Sequence, residues 1–417
     1  MKVNKNKVFY IFIISFFLDA YCFMQIGNRG ITIWYLLTAL LIFLSICAMK
    51  TVSRSIKQNP VVPIMIIYMI INYSMLGGNQ ITSLVVGITC WLFYLCSFRV
   101  CKISEFDKQV ELFQKLMNIF CIYGIYQLIG NIFGLPLTSL RIPGIMVEGY
   151  NYGNYIQIAG VTLMRSNSIF REPSYFSQFA ALNILIYINN VINGRLRIKE
   201  QNRYILRIIL NILAILTSFS GSGMIIVIVG TLILVLKSNS KAVIYFIKKH
   251  IFLVATCLII VITLLVVPNS ITEYLLGRMS ELDPSNLNSV SGYVRFIFPF
   301  KFAGDMVSKN PLLGIGIGEA VKFAGMYSVA GGRDLSNDIQ PIIPRTLAEE
   351  GIVGFGLLML FFYYVIKRRK ANYSNNYYAI LIGTLIMSFT HGTWSSEVYW
   401  TLLGFLNVSL VNDNVRR

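Results

Sequence analysis

Residues 165–178 read RSNSIFREPSYFSQ, at the edge of a long apolar run. Arg165 and Arg171 offer forked guanidinium donors that match two oxygens of a phosphate or a carboxylate. Pro173 suits the first turn of a helix, where its missing N–H leaves no bond unmade. Glu172 then falls near the N-cap, and both arginines approach the same end. The positive end of the helix dipole and its free N–H groups favour an anion there. Two assignments compete. In one, Glu172 caps the helix and pairs one arginine, while the other arginine reaches along the interface to water. In the other, the cluster holds an anionic ligand. Residue by residue the first is at least as good; for the cluster as a whole the anionic ligand is assigned.

A second polar stretch follows further along. It contains SGYVRF with Arg295, then KNPLLGIGIGEAVKF, then GGRDLSNDIQPIIPRTLAEEGIVGFG. The glycines at 314–318 look like a phosphate cradle, but no Gly-Lys-Ser/Thr follows them, so a nucleotide site is rejected. Arg345 and Glu349 stand four apart at a helix start, a spacing that serves an intrahelical pair as well as a ligand contact. Arg333, Asp334, Asn337 and Asp338 cluster where a solvated polar turn is the default. Of the two histidines, His250 continues a Lys-Lys pair. His391, in SFTHGTWSSEVYW, suits capping or packing, although its placement permits catalysis. Asp19 stands alone in an apolar stretch, which makes it a candidate by default.

These residues need a scaffold, and the composition says which kind. The 417 residues are 56% hydrophobic and 13% charged, with mean hydropathy +0.65. Soluble domains carry about 25% charged residues. Apolar runs near 20 residues recur from end to end, each long enough to cross about 30 Å of hydrocarbon as a helix. The predicted fold is an all-α polytopic membrane protein, one integral membrane domain over residues 1–417. Twelve spans are placed at about 8–25, 31–49, 61–76, 81–98, 112–135, 173–193, 204–219, 222–237, 250–268, 346–366, 377–392 and 396–411. The first is an anchor, because it lacks a cleavage site and another span follows at once.

Orientation comes from Lys and Arg in the loops. With both termini in the cytoplasm, the inner side holds 25 Lys+Arg and five acids, and the outer side 11 and twelve. The net charge of +18 is then a topology signal, and no nucleic-acid partner is needed to explain it. Two outer segments, 136–172 and 269–345, exceed ordinary loop length, and function is expected in them. The seven cysteines lie in or beside spans. They form neither a disulfide framework nor a metal-ligand pattern, and no cofactor is implied.

In these two segments the chain resembles the O-antigen and capsular polysaccharide polymerases, the Wzy-type family of the O-antigen ligase-polymerase group. Arg165 with Phe170-Arg171-Glu172-Pro173-Ser174-Tyr175 is similar to the family's Arg-x-x-x-x-Phe-x-Glu-Pro stretch. Arg295 followed by Asn310-Pro311-Leu312-Leu313-Gly314-Ile315-Gly316 is similar to its pLLGiG segment. Asn337 with Leu347-Ala348-Glu349-Glu350-Gly351-Ile352-Val353-Gly354 is similar to its N…l.E.GiiG segment. Many relatives carry His before that Asn; here Ser336 stands there, so a base role for such a His does not transfer.

The resemblance implies a metal-independent glycosyltransferase in the bacterial cytoplasmic membrane, with its active site outside. It would join oligosaccharide repeats carried on undecaprenyl pyrophosphate into O-antigen, capsule or exopolysaccharide, alongside a flippase and a chain-length regulator. Arg165 and Arg295 would stabilise the leaving pyrophosphate. Arg171, Arg333, Arg345, Asn337, Asp338 and Tyr175 would contact pyrophosphate or glycan. Glu172, Asp338, Glu349 and His391 are the candidates to take the acceptor's proton, with Glu172 favoured for its place beside the arginines. A ligase, which would share the donor site, and a flippase or transporter without chemistry are the competing readings.

Overall fold

The computed structural model describes residues 5–26, 29–46, 49–76, 80–142, 144–147, 154–158, 160–192, 198–238, 277, 280–285, 291–327, 335, 339–367, 375–390 and 393–408. The predicted spans that fall among them lie largely on helices, except the first, which is helical only as far as Phe16; the span at 250–268 lies outside the described residues. The first half holds α1 (Lys5–Phe16), α2 (Ile33–Ile46), α3 (Met49–Gln58), α4 (Val61–Leu76), α5 (Ile81–Ser97) and α6 (Ile103–Ile132). After the first large segment come α7 (Pro173–Ile192), α8 (Ile198–Ser218) and α9 (Gly221–Lys237). The remainder comprises α10 (Phe298–Lys309), α11 (Ala320–Ala324), α12 (Ile342–Lys367), α13 (Asn375–Met387) and α14 (Glu397–Leu406).

Three of these helices contain runs long and apolar enough to cross a membrane: Ser104–Ile132, Pro173–Ile192 and Ile342–Lys367. A fourth candidate is the pair Val52–Gln58 and Val61–Leu76, bent by 92° at its break. The break falls at Asn59-Pro60, where the proline disfavours a helical conformation in the residue before it. Helices such as α2, of 14 residues, reach about 21 Å on their own. They are apolar but shorter than the hydrocarbon core.

The expected first span is cut short. Helix α1 ends at Phe16, and the chain turns and pairs with the first large segment instead. Cys22 N–H donates to Ile145 O at 2.8 Å, and Val147 N–H to Ala20 O at 3.0 Å. Asp19 therefore lies in a turn beyond the helix rather than within it. Two small antiparallel hairpins decorate this region, β1 (Met24–Ile26) with β2 (Arg29–Ile31), and β3 (Tyr155–Ile158) with β4 (Val161–Met164).

Helix α7 is the centre of the bundle, buried on nearly all sides against α6, α8, α9 and α13. Small residues let it be approached closely. A methyl group at Gly223 of α9 would fall 2.5 Å from the Ser177 carbonyl oxygen of α7. Polar side chains cross-link α7 as well. Asn183 donates to Asn118 of α6 at 3.1 Å and to Asn211 of α8 at 3.0 Å, and Asn211 returns a 2.9 Å bond to Asn118. In a low-dielectric interior a buried triangle of this kind favours one helix register. Where the C-terminal end of α1 meets the N-terminal end of α7, Phe16, Phe17, Phe170 and Phe179 interlock edge-to-face and stacked.

The second large segment builds a small core of its own, where Phe298, Phe302 and Met306 of α10 meet Ala320, Ala324 and Ala348. Helix α10 stops at Asn310, because Pro311 follows.

Candidate functional site

Residues 165–172 are held from both sides, and this aims the next residues. Ser166 N–H donates to Thr217 O of α8 at 3.0 Å, and its hydroxyl donates to Gly124 O of α6 at 2.6 Å. Gln127 of α6 brackets Ser168, accepting from its N–H at 2.7 Å and donating to its carbonyl at 3.0 Å. The chain then enters α7 at Pro173, with the Glu172 carbonyl accepting the Phe176 N–H at 3.2 Å. Glu172 thus stands at the helix start, as expected, and Arg171 beside it.

Arg165 belongs to the scaffold of this segment. Its guanidinium donates from Nε to Ser218 O at 3.1 Å and from Nη2 to Phe219 O at 3.2 Å. Those carbonyls end α8, where a helix leaves acceptors unmatched and a cation is favoured. Its side chain is buried.

Arg295 comes to Glu172 from the second segment. It lies in a single π-helical turn, Tyr293–Ile297, that leads into α10. Such turns widen the helix and redirect side chains, and they are frequent at functional sites. Arg295 Nη2 stands 3.8 Å from Glu172 Oε2, with the two side chains 23% and 19% exposed, so solvent reaches the pair. Ser174 donates to the same carboxylate at 3.0 Å. Tyr175, buried one turn into α7, lies within electrostatic reach of Glu172, Arg171, Asp19 and Arg295.

Two more carboxylates complete the cluster. Asp19 accepts hydrogen bonds from the backbones of Arg171 and Ala20 and attracts the Arg171 side chain. Glu397, first residue of α14, accepts from the Thr32 hydroxyl at 2.6 Å, and it acts electrostatically on both Asp19 and Arg171. Two arginines and three carboxylates thus converge from the ends of α1, α7 and α14 and from the turn before α10. Among the described residues no group of three or more His, Cys, Asp or Glu is arranged to hold a metal ion.

Arg345 is engaged elsewhere. It pairs with Glu349 at 3.0 Å, donates to Ile339 O at 3.2 Å, and lies over the Trp394 ring at 4.0 Å. Glu349 also accepts the Ala320 N–H at 3.3 Å. Of the two readings of Arg345 and Glu349, the structure displays the intrahelical pair. It is buried and ties the second segment to α12.

The glycine run is used the same way. Gly314, Gly316 and Gly318 all have positive φ, but their neighbourhood serves the fold. Ile315 N–H donates to Ala348 O at 3.0 Å and Gly316 N–H to Glu349 O at 2.9 Å. Ile352 N–H donates back to Pro311 O at 2.9 Å. The partner segment is a break inside α12 at Gly351, with φ 65° and ψ −165°. Asn72 and Tyr68 of α4 hold the two strands of this junction, through Leu313 O at 2.7 Å and Glu350 O at 2.6 Å.

The structure therefore brings together Glu172, Arg171, Tyr175 and Arg295, and sets Arg165 and Arg345 to structural work. Arg333, Asn337, Asp338 and His391 lie outside the described residues. Sequence reasoning missed Glu397. The available signal was a single acid in SSEVYW at the head of an apolar run, which Ser396, capping the Tyr399 N–H at 3.3 Å, made look like an ordinary helix start. No protein-family model matches the chain, and no curated protein sequence does either. Fold and site define a mostly helical protein with membrane-length helices and an arginine–carboxylate cluster at one end of them.

Proposed function

We propose that the chain is a glycosyltransferase of the bacterial cytoplasmic membrane, polymerising oligosaccharide repeats linked to undecaprenyl pyrophosphate on the outer face. The observation that carries this reading is the ion pair between Arg295 and Glu172. It joins two segments far apart in sequence, both placed outside by the charge asymmetry of the loops. A partly exposed arginine pair beside carboxylates, at the water-facing end of a helical bundle, suits a substrate with an anionic centre and a lipid tail. The second and third stretches that resemble polysaccharide polymerases also form one hydrogen-bonded junction around Gly314 and Gly351.

In this reading Arg171 and Arg295 bind the pyrophosphate and stabilise the charge that grows on it as the glycosidic bond breaks. Glu172 holds Arg295 in place before substrate arrives, and Arg165 fixes the segment that presents Arg171. Tyr175 supports the same wall. The twelve spans, the cytoplasmic termini and the outer location of both large segments belong to this proposal. So do the supply of repeats by a flippase and the control of length by a separate regulator.

The test is a deletion of the chain in its native cells, complemented with wild type, Arg295→Ala or Arg295→Lys. The deletion and the Ala variant accumulate single lipid-linked repeats and lose long glycan. The Lys variant restores part of it, since an ammonium lacks the fork. Loss of one transition-state contact corresponds to roughly 100- to 1,000-fold in rate. Long chains at normal abundance in the deletion strain would sink the proposal.

A further inference from the structure

We infer that Glu397, rather than Glu172, takes the proton from the acceptor hydroxyl; this rests on the glycosyl-transfer reading above. The hydroxyl oxygen bonds to the anomeric carbon, the bond from that carbon to pyrophosphate breaks, and its electron pair leaves on the pyrophosphate oxygen. The hydroxyl proton must go to a nearby base. Glu172 is poorly suited. It is ion-paired with Arg295 and already accepts the Ser174 hydroxyl, and both partners favour the charged carboxylate over the protonated acid.

Glu397 differs in each respect. Among the described residues its carboxylate has one hydrogen-bond partner, Thr32 at 2.6 Å, and no ion pair. That bond leaves the second oxygen of the carboxylate open to a donor and holds the side chain in one orientation. Thr32 directly follows β2, whose Ile31 carbonyl accepts the Phe23 N–H at 2.9 Å, so the bond to Thr32 sets Glu397 beside the turn that carries Asp19. Asp19 is a positioning residue, accepting from the Arg171 backbone. Its Oδ1 atom is buried with no hydrogen-bond partner. In this arrangement Arg171 and Arg295 serve the pyrophosphate, and Glu397 serves the attacking hydroxyl.

The experiment uses the full chain in lipid nanodiscs, with lipid-linked oligosaccharides extracted from cells lacking it as the probe. Glu397→Gln keeps size and the Thr32 bond but cannot accept a proton. It should lose roughly 100- to 10,000-fold in turnover while KM for the extract stays within about threefold, and Glu397→Asp should recover part of the rate. Thr32→Val leaves the acid intact and removes its orienting bond; turnover should fall about tenfold at unchanged KM. Turnover of Glu397→Gln within threefold of wild type overturns the inference. Should that variant fail to fold, undiminished turnover of Thr32→Val overturns it instead. A wild type that does not lengthen the extract refutes the glycosyl-transfer reading itself, and that result is distinct from either.

Discussion

Replacing Gly351 by alanine will test the junction at which the second large segment is welded to α12. Gly351 adopts φ 65° and ψ −165°, a region that residues with a Cβ enter at about 1–3 kcal/mol. The added methyl would also lie 2.4 Å from Leu312 O and 2.6 Å from Gly314 N. Both are backbone atoms and cannot swing aside as a flexible side chain would. The strands must part, and the bonds at stake are those from Ile315, Gly316 and Ile352, all between 2.9 and 3.0 Å. At about 1 kcal/mol for each, the whole effect is about 4–6 kcal/mol. Unfolding entropy of about 2.1 cal/mol/K per residue over 417 residues converts this to a fall in Tm of about 5–7 °C. The fall is larger if helices persist in the micelle after the tertiary structure is lost. Thermal unfolding in detergent, followed by tryptophan fluorescence, measures it. Gly356→Ala is the control: that site lies five residues on in the same helix, with nothing within 4 Å of a new methyl, so alanine should be neutral or stabilising by up to about 1 kcal/mol. If Gly351→Ala melts within 1 °C of wild type, the junction does not hold the segment as argued.

Other outcomes follow from particular contacts. Reporter fusions after residues 145 and 320 should read outside, and after 198, 240 and 370 inside; a cytoplasmic signal at 320 would overturn the proposed function. Arg165→Ala should lower thermal stability by about 2–3 kcal/mol, because Ser218 O and Phe219 O lose a charged donor, whereas Arg295→Ala, at a partly exposed pair, should leave the melting temperature nearly unchanged. Equal losses in the two variants would remove the distinction between scaffold and site. Asn183→Leu should destabilise by roughly 1–3 kcal/mol, since two buried bonds, to Asn118 and Asn211, are lost while those two residues keep the bond between them, and an unaltered melt would show that the triangle is not closed in solution. Chain lengthening by the purified protein should survive EDTA; activity lost in chelator and restored by Mg²⁺ or Mn²⁺ would end the arginine-only account.

Much of the helical layout was legible in the chain, because in a low-dielectric setting each apolar run must satisfy its own backbone and can do so only as a helix or a closed barrel. That constraint is local, so α4, α5 and α7 begin and end within a residue or two of the apolar runs that predict them. Pro173 announced the start of α7 for an equally local reason. Helix α3 was hidden, since KTVSRSIKQN reads as a charged loop unless its sparse apolar face is followed around a helix. The hairpins at 24–31 and 155–164 were hidden too, because their pairing depends on a partner strand rather than on composition.

The site divides along the same line. Residue chemistry marked Arg165 and Arg171, beside Glu172, as able to bind an anion, the family resemblance added Arg295 and Tyr175, and spacing placed Arg345 four residues before Glu349. Spacing could not say which arginine faces solvent. That was decided by what packs around each one: the end of α8 captures Arg165, Trp394 and Glu349 enclose Arg345, and the π-turn swings Arg295 out to Glu172. Glu397 enters the cluster only because the last helix returns beside the first, which no local pattern encodes. A side chain's type is a property of the sequence, but whether its charge meets water, a helix end or another charge is set by the contacts that folding makes.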